Sequence, residues 1–332
     1  MADEATPYAD LGPDTVLDAV AATGREPDGR LLPLNSFENR VYRVGLEEGT
    51  PVIAKFYRPG RWSNAAIAEE HAFSHELAAA DVPVIPPLDD GAGTLREYAG
   101  YRFALFPLRG GRPPELEDPA VLERIGFFMG RLHAIGASDR FDHRPTLAGD
   151  FGARTVETLA ASGRLPDYLH EAWTSVAREL VGRIRERWEA AAPATLRLHG
   201  DAHPGNLLWA EGPHIVDLDD TLTGPAVADL WLFLGGEREE QQQRLAALLR
   251  GYRAFRDLDP GELALIEALR GLRILRHAGW IAARWADPAF PVAFPWFEGP
   301  RFWEDQVLAL REQLANLDEP PLELPREELA AF

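Results

Sequence analysis

Residues 196–220 read LRLHGDAHPGNLLWAEGPHIVDLDD, and this stretch indicates both the fold and the chemistry. It contains Asp201 and Asn206 in one loop, and Asp217 follows at the end of the apolar stretch HIV. Phosphoryl transfer needs a carboxylate that accepts the proton of an acceptor hydroxyl, and hard oxygen ligands that hold Mg2+ on the nucleotide phosphates. Asp201 suits the first role as a catalytic residue, whereas Asn206 and Asp217 suit the second.

A plain turn is the alternative interpretation of this loop, because Asp and Asn favour turns and Pro204 and Gly205 lie between them. Three residue types at a fixed spacing also recur by chance, so the loop alone is only suggestive. We interpret His199, just before the loop, as a structural residue that hydrogen-bonds the loop backbone.

An upstream lysine should neutralise phosphate charge, and Lys55 lies in the strand pattern PVIAKFY. The apolar spacing predicts a helix over 65–80, in which Glu70 shares the inward face with Ile67 and Leu77. A buried carboxylate requires a partner, so we predict that Lys55 pairs with Glu70. The alternative is a lysine at a strand edge and a solvated glutamate.

A glycine-rich nucleotide motif of the Rossmann or P-loop type is absent from the sequence. The segment LNSFENRVYRV precedes the Lys55 strand instead, and its loop offers Ser36 and Asn39 as hydrogen-bond donors to a nucleotide. An ordinary turn at this position is the alternative.

The hydrophobic pattern divides the chain into two lobes. RVYRVGL and PVIAKFY predict a hairpin, GYRFALF predicts a further strand, and long amphipathic helical patterns follow the proline- and glycine-rich stretch PLRGGRPP. We therefore predict an α+β fold with a small β-rich nucleotide-binding lobe over 1–107, a hinge over 108–114, and a larger, mostly helical catalytic and acceptor-binding lobe over 115–332.

Composition excludes several classes of protein. The 332 residues are 46% hydrophobic and contain no cysteine, which excludes disulfides and thiolate chemistry. A net charge of −19 argues against nucleic acid as a partner. The sequence contains no apolar run of 18 residues that could span a membrane. The acidic start MADEATPYAD lacks a signal-peptide pattern. We expect a cytoplasmic monomer without a membrane partner.

The motifs HGDAHPGN, VDLDD and GPAVADLW resemble the aminoglycoside phosphotransferase and choline kinase superfamily, whose fold is protein-kinase-like. Further stretches, including LNSFENRVYRV, KFYRPGRW, EEHAF, GRLH, HRPT and ARWADPAFPVAFPWF, are similar to the bacterial stress response kinase A family. They extend over most of the chain, from about residue 34 to residue 297.

The resemblance implies cytoplasmic, Mg2+-dependent serine/threonine phosphorylation with ATP as a partner. It makes Asp201 the proton acceptor, Asn206 and Asp217 the metal ligands, Lys55 and Glu70 the phosphate-orienting pair, and Ser36 a contact of the nucleotide loop. One departure from ordinary protein kinases is that GPAVADLW follows Asp217 so closely that a long activation segment cannot fit. The protein acceptor therefore rests on the resemblance.

Three functions remain open from the sequence. A serine/threonine protein kinase leads, and a kinase of a small amine-bearing alcohol is the rival, since Asp219 and Asp220 offer carboxylates to a cation. A nucleotide-binding pseudokinase scaffold is the third, although Lys55, Asp201 and Asp217 are all present.

A basic stripe stands apart from these motifs. Within the helical pattern GELALIEALRGLRILRHAGWIAARW, Arg270, Arg273 and His277 recur at helical spacing, and Arg276 lies beside them. The stripe either pairs with surface carboxylates or lines the acceptor side of the cleft, where it would favour acidic or phosphorylated acceptors.

Overall fold

A five-stranded antiparallel sheet forms the first lobe of the protein, as seen in a computed structural model that describes residues 6–210 and 212–324. The strands are β1 (Pro27–Leu34), β2 (Arg40–Leu46), β3 (Val52–Phe56), β4 (Arg96–Tyr98) and β5 (Tyr101–Pro107), in the spatial order β1-β2-β3-β5-β4. Two helices accompany the sheet, α1 (Pro13–Ala21) and α2 (Asn64–Ala79). The predicted hairpin of β2 and β3 and the helix over 65–80 are confirmed.

The two faces of this sheet contact different parts of the protein. Ala54 and Phe56 of β3 are buried in a core that also contains Val16 and Val20 of α1. Since side chains alternate along a strand, Lys55 points to the opposite face, toward α2. The strand alternation thereby places the lysine between the sheet and the second lobe.

Strands β1 and β4 were missed by the sequence analysis. Pro27, Gly29 and Pro33 interrupt β1, and these residue types normally argue against a strand. Strand β1 lies at the edge of the sheet and its register with β2 shifts between Pro27 and Leu31. An edge position tolerates residues that a central strand would not.

The second lobe is mostly helical. Its helices are α3 (Pro119–Gly136), α4 (Ala153–Ala161), α5 (Asp167–Ala191), α6 (Val227–Leu230), α7 (Arg238–Tyr252), α8 (Ile266–Ala283), α9 (Ala289–Ala293) and α10 (Pro300–Asn316). Two short antiparallel pairs interrupt them, β6 (Leu196–Leu198) with β9 (Leu222–Gly224), and β7 (Leu207–Trp209) with β8 (Pro213–Ile215). The α+β two-lobe fold is thus confirmed. In the described ranges no helix is long and apolar enough to cross a membrane.

The division at 108–114 stays a prediction, and the connection itself is bonded to the second lobe. Arg112 exchanges two backbone hydrogen bonds with Trp209 of β7, at 3.1 and 2.7 Å. The large core of the second lobe also includes Phe73 and Leu77 of α2. Helix α2 therefore packs against both lobes.

Glycines allow α3 and α7 to approach closely. A Cβ atom on Gly126 of α3 would lie 1.8 Å from the carbonyl oxygen of Leu248, and a Cβ atom on Gly251 of α7 would lie 1.8 Å from that of Glu123. Neither neighbour is a flexible side-chain end, so the helices themselves would have to separate.

We expect Gly251→Ala to lower the free energy of unfolding by about 1–3 kcal/mol, because the added methyl group overpacks the α3–α7 contact. Urea unfolding monitored by circular dichroism measures the loss. Gly182→Ala in α5 is the matched control, since its Cβ would meet no atom within 4 Å. That control should be neutral or stabilising by up to about 1 kcal/mol. Equal unfolding midpoints for the two variants would contradict the tight contact.

Candidate active site

The loop after β6 holds Asp201 in a fixed position. The Asn206 side-chain nitrogen donates to the Asp201 carbonyl at 2.9 Å, and the Val216 amide donates to the Asn206 carbonyl at 3.0 Å. Gly200 precedes Asp201 with φ of +85°, and a Cβ atom there would lie 2.0 Å from the Asp220 carbonyl oxygen. The loop therefore needs glycine at this position, and Asp201, Asn206 and the region of Asp217 lie side by side.

Asp217 adopts a left-handed backbone conformation with φ of +62°, which is unusual outside glycine. Asp tolerates this conformation better than most residues, and such conformations often occur at functional sites. The bend turns the chain so that Asp217 and Asp219 both approach Lys55, at 3.0 and 3.2 Å. One lysine thereby contacts two carboxylates of the second lobe.

Lys55 also meets Glu70 of α2, at 3.6 Å, and both side chains are buried. Strand β3 is central in the sheet, so the alternative of a lysine at a strand edge does not hold. Burial alone would lower the pKa of Lys55, but Asp217, Asp219 and Glu70 outweigh it and hold the pKa well above its usual value. Burial raises the pKa of Glu70, although Lys55 opposes this effect. Lys55 therefore stays a cation.

The loop between β1 and β2 covers the same region. Ser36 is half-buried and lines the cleft. The Asn39 side-chain oxygen accepts from the Arg58 amide at 3.1 Å, so Asn39 anchors the loop. Glu38 accepts two hydrogen bonds from Arg284, at 2.6 and 2.8 Å. The loop is therefore tied to the end of α8, a contact that the sequence analysis missed.

His199 is fully buried and holds the two halves of the site together. Its Nε2 atom lies 3.0 Å from the Val216 carbonyl oxygen, and its Nδ1 atom accepts from the Asp201 amide at 3.3 Å. The prediction that it hydrogen-bonds the loop backbone is confirmed.

One cavity of about 1470 Å³ collects the residues that the sequence analysis singled out. A pocket for one drug-sized ligand is typically about 300–1000 Å³, so this cavity has room for a nucleotide and an acceptor. Its lining includes Ser36, Lys55, Glu70, Asp201, Asn206 and Asp217.

The donor set fits a metal that is bound together with a nucleotide. No group of three or more His, Cys, Asp or Glu side chains within 6–210 and 212–324 is arranged to hold a metal alone. Mg2+ usually takes one or two protein carboxylates, with phosphate and water completing its shell. Asp217 and the Asn206 side-chain oxygen match that pattern. One buried oxygen of Glu70, Oε2, also lacks a hydrogen-bond partner among the described atoms.

Several known proteins are similar to this chain. The phosphotransferase enzyme family matches residues 30–266. The chain belongs to that family. Stress response kinase A from Escherichia coli (strain K12) is 40% identical over 325 residues, which cover 98% of this chain and 99% of that protein. The serine/threonine protein kinase RdoA from Salmonella typhimurium is also 40% identical, over the same shares of both chains.

The solved structures give the same fold. Amicoumacin kinase hAmiN in complex with AMP-PNP, Ca2+ and Ami has a TM-score of 0.71 and 17% identity, with 94% of this chain and 97% of that chain covered. The family match and the two kinase relatives show that this phosphotransferase is a kinase, and its predicted resemblance to the stress response kinase A family is confirmed.

Asp229 is a further residue of this phosphotransferase that the sequence analysis did not single out. Its buried carboxylate accepts from the amides of His199 and Gly200, at 2.8 and 2.9 Å, and lies 3.2 Å from Nε2 of His133. Asp229 thus positions the loop that carries Asp201. The motif GPAVADLW could have indicated this role, because Asp229 is a charged residue among apolar neighbours and such a residue needs buried partners.

We expect Lys55→Met to lower stability at neutral pH by about 3–5 kcal/mol, because Glu70 and Asp217 lose their cation and Asp219 keeps only Arg61. Glu70→Gln should cost much less than Lys55→Met, since burial raises the pKa of Glu70 to about 7 and Asp217 and Asp219 still pair with Lys55. Urea unfolding midpoints measure both effects. The double variant tests the cause: Glu70→Gln should recover stability in the Lys55→Met background, and a purely additive loss would contradict the charge cluster.

We also expect Asp229→Asn to cost about 3 kcal/mol of stability at neutral pH, because buried donors lose an anionic acceptor. Burial alone would raise the pKa of Asp229, but His133, His199 and the Gly200 amide together lower it. The stabilisation is therefore present above the ordinary pKa of 3.8 and is lost as the pH falls through the lower folded value. Unfolding midpoints at several pH values test this, and exposed Asp305→Asn is the control. An unchanged acid sensitivity in Asp229→Asn would oppose the assignment.

Proposed function

We propose that this kinase transfers the γ-phosphoryl group of ATP to a serine or threonine hydroxyl of a protein substrate, as part of a cytoplasmic bacterial stress response. The observation that carries the proposal is that Lys55, Asp201 and Asp217 come from both lobes and line one cavity. The relatives named as stress response kinase A and as a serine/threonine protein kinase support the protein acceptor.

Each site residue has a proposed task in the reaction. Lys55 and the loop of Ser36 orient the nucleotide phosphates, and Glu70 holds Lys55. Asn206 and Asp217 hold Mg2+, which when bound neutralises the charge of the transferring phosphoryl group.

The transfer itself follows from these positions. The acceptor oxygen attacks the γ-phosphorus, the bond to the bridging oxygen breaks, and ADP leaves with that oxygen. The proton of the acceptor hydroxyl passes to the carboxylate of Asp201.

A kinase of small hydroxyl-bearing acceptors is the second candidate, because the solved structure of amicoumacin kinase contains a small acceptor. The acidic residues that would take a cationic alcohol are already engaged, however. Arg61 hydrogen-bonds both Asp219 and Asp220, and Lys55 also meets Asp219. The charge arrangement therefore favours a protein acceptor over a choline-like alcohol. The pseudokinase scaffold has least support, since no catalytic side chain is missing.

Radiolabelled ATP with three classes of acceptor tests the proposal: a generic protein, choline-like alcohols and aminoglycosides. We expect transfer to protein serine or threonine and none to the small molecules. Transfer only to a small alcohol would replace the protein acceptor, and the absence of any transfer together with intact nucleotide binding would favour the scaffold.

Two variants separate the roles of the carboxylates. Asp201→Asn should lower kcat by about 10²-fold or more while it keeps the affinity for metal-bound nucleotide, because it lacks only the proton acceptor. Asp217→Asn should also weaken Mg2+-dependent nucleotide binding, measured by calorimetry. If Asp201→Asn abolished nucleotide binding and Asp217→Asn preserved it, the two roles would be reversed.

A further inference from the structure

The charge of the cleft differs from the charge of the whole protein. The chain has 34 basic residues (Lys and Arg) against 53 acidic ones. The residues that line the cavity include seven basic and six acidic ones, so the cleft is nearly balanced. The basic ones are Arg43, Lys55, Arg61, Arg109, Arg270, Arg273 and Arg276, and the acidic ones are Glu38, Glu70, Asp201, Asp217, Asp219 and Asp220. Cations are therefore concentrated in this cleft.

Helix α8 supplies three of these cations, and they differ in their partners. Arg270 donates to the Gln241 side chain at 2.9 Å and lies 3.4 Å from Glu267, so its charge is already used within the lobe. Arg273 is half-exposed. Arg276 has no ion pair with any residue that the structure describes, and its guanidinium lies 5.3 Å from the centre of the Phe151 ring. Arg276 and the half-exposed Arg273, whose partner Asp201 itself lines the cleft, are therefore the α8 cations that can reach a ligand.

Arg273 lies directly beside the proposed proton acceptor. Its Nη1 atom is 3.0 Å from Oδ1 of Asp201. An acceptor that places its hydroxyl at Asp201 therefore brings its neighbouring residues within reach of Arg273.

We propose that Arg273 and Arg276 form a subsite for an anionic side chain of the acceptor, so that the kinase selects a serine or threonine with an acidic residue beside it. This inference rests on the proposed protein acceptor and adds the class of sequence that the protein kinase recognises. Arginine suits the role because its planar guanidinium can hold a carboxylate through two hydrogen bonds.

The surroundings favour a polypeptide over a free small anion. Trp280, Phe37 and Phe294 line the cavity on the same side as α8, and Phe37 is exposed. These rings contact one another, with centroids 5.2 to 6.4 Å apart. A peptide can place an acidic side chain on the arginines and an apolar one on the rings, whereas a small anion would leave the rings without contact.

Two peptides test the inference, identical except that the residues flanking one serine are Asp in the first and Asn in the second. We expect the wild type to have a lower KM for the Asp peptide. Arg273→Gln and Arg276→Gln should each raise that KM roughly fivefold, the upper range for a half-exposed ion pair. The KM values for ATP and for the Asn peptide should not change. High salt should reduce the difference between wild type and variants by screening the attraction.

Two controls keep the outcome unambiguous. Arg301→Gln removes one arginine from an exposed position of α10 and should change neither peptide's KM. Arg273→Lys keeps the charge and should retain part of the preference. Equal KM values of the wild type for both peptides would overturn the inference. So would an equal loss of kcat/KM on both peptides in Arg273→Gln, because Arg273 would then only position Asp201. Failure to phosphorylate either peptide, with transfer to a small alcohol, would overturn the protein acceptor itself.

Discussion

The ion cluster of Lys55 is the interaction on which the rest of the site depends. It joins a strand of the sheet to Glu70 of α2 and to Asp217 and Asp219 of the second lobe. A buried lysine is stable as a cation only with such partners, and buried carboxylates need the lysine equally. Arg61 also pairs with Asp219, so the three carboxylates share one ammonium and one guanidinium. The cluster therefore joins the two lobes across the cleft.

A second set of contacts fixes the lobes on the other side of the cleft. Glu38, next to Ser36, accepts hydrogen bonds from Arg284 and from the Trp280 indole. Phe37 packs against the Trp280 ring. A glycine-rich loop would hold phosphates through its own flexible backbone, whereas this loop is positioned by side chains of α8.

The sequence could predict the elements whose signal is local. The spacing of Ile67, Glu70 and Leu77 predicts both a helix and a buried carboxylate, and burial then demands a cation. The contact between Glu38 and Arg284 could not be predicted, because 246 positions separate the two residues and no local pattern pairs one with the other. The same holds for Arg273 and Asp201, which are 72 positions apart. Helical spacing predicts that Arg273 lies on the basic face of α8. That this face packs against the loop of Asp201 follows only from the tertiary structure.

The basic side chains differ in type between two parts of the cleft, with a lysine in one and arginines in the other. Lys55 is the only lysine, so the other 33 of the 34 basic residues are arginines. Lysine is a compact ammonium that fits a crowded, buried position among several oxygens, whereas arginine forms planar paired hydrogen bonds and keeps its charge when half-exposed. In the proposed division of the cleft, the ammonium lies on the nucleotide side and the guanidinium groups of α8 lie on the acceptor side. Lys55 meets carboxylate oxygens of Glu70, Asp217 and Asp219 within 3.6 Å. Arg273 instead keeps half of its side chain exposed beside Asp201, which is what the proposed acceptor subsite requires.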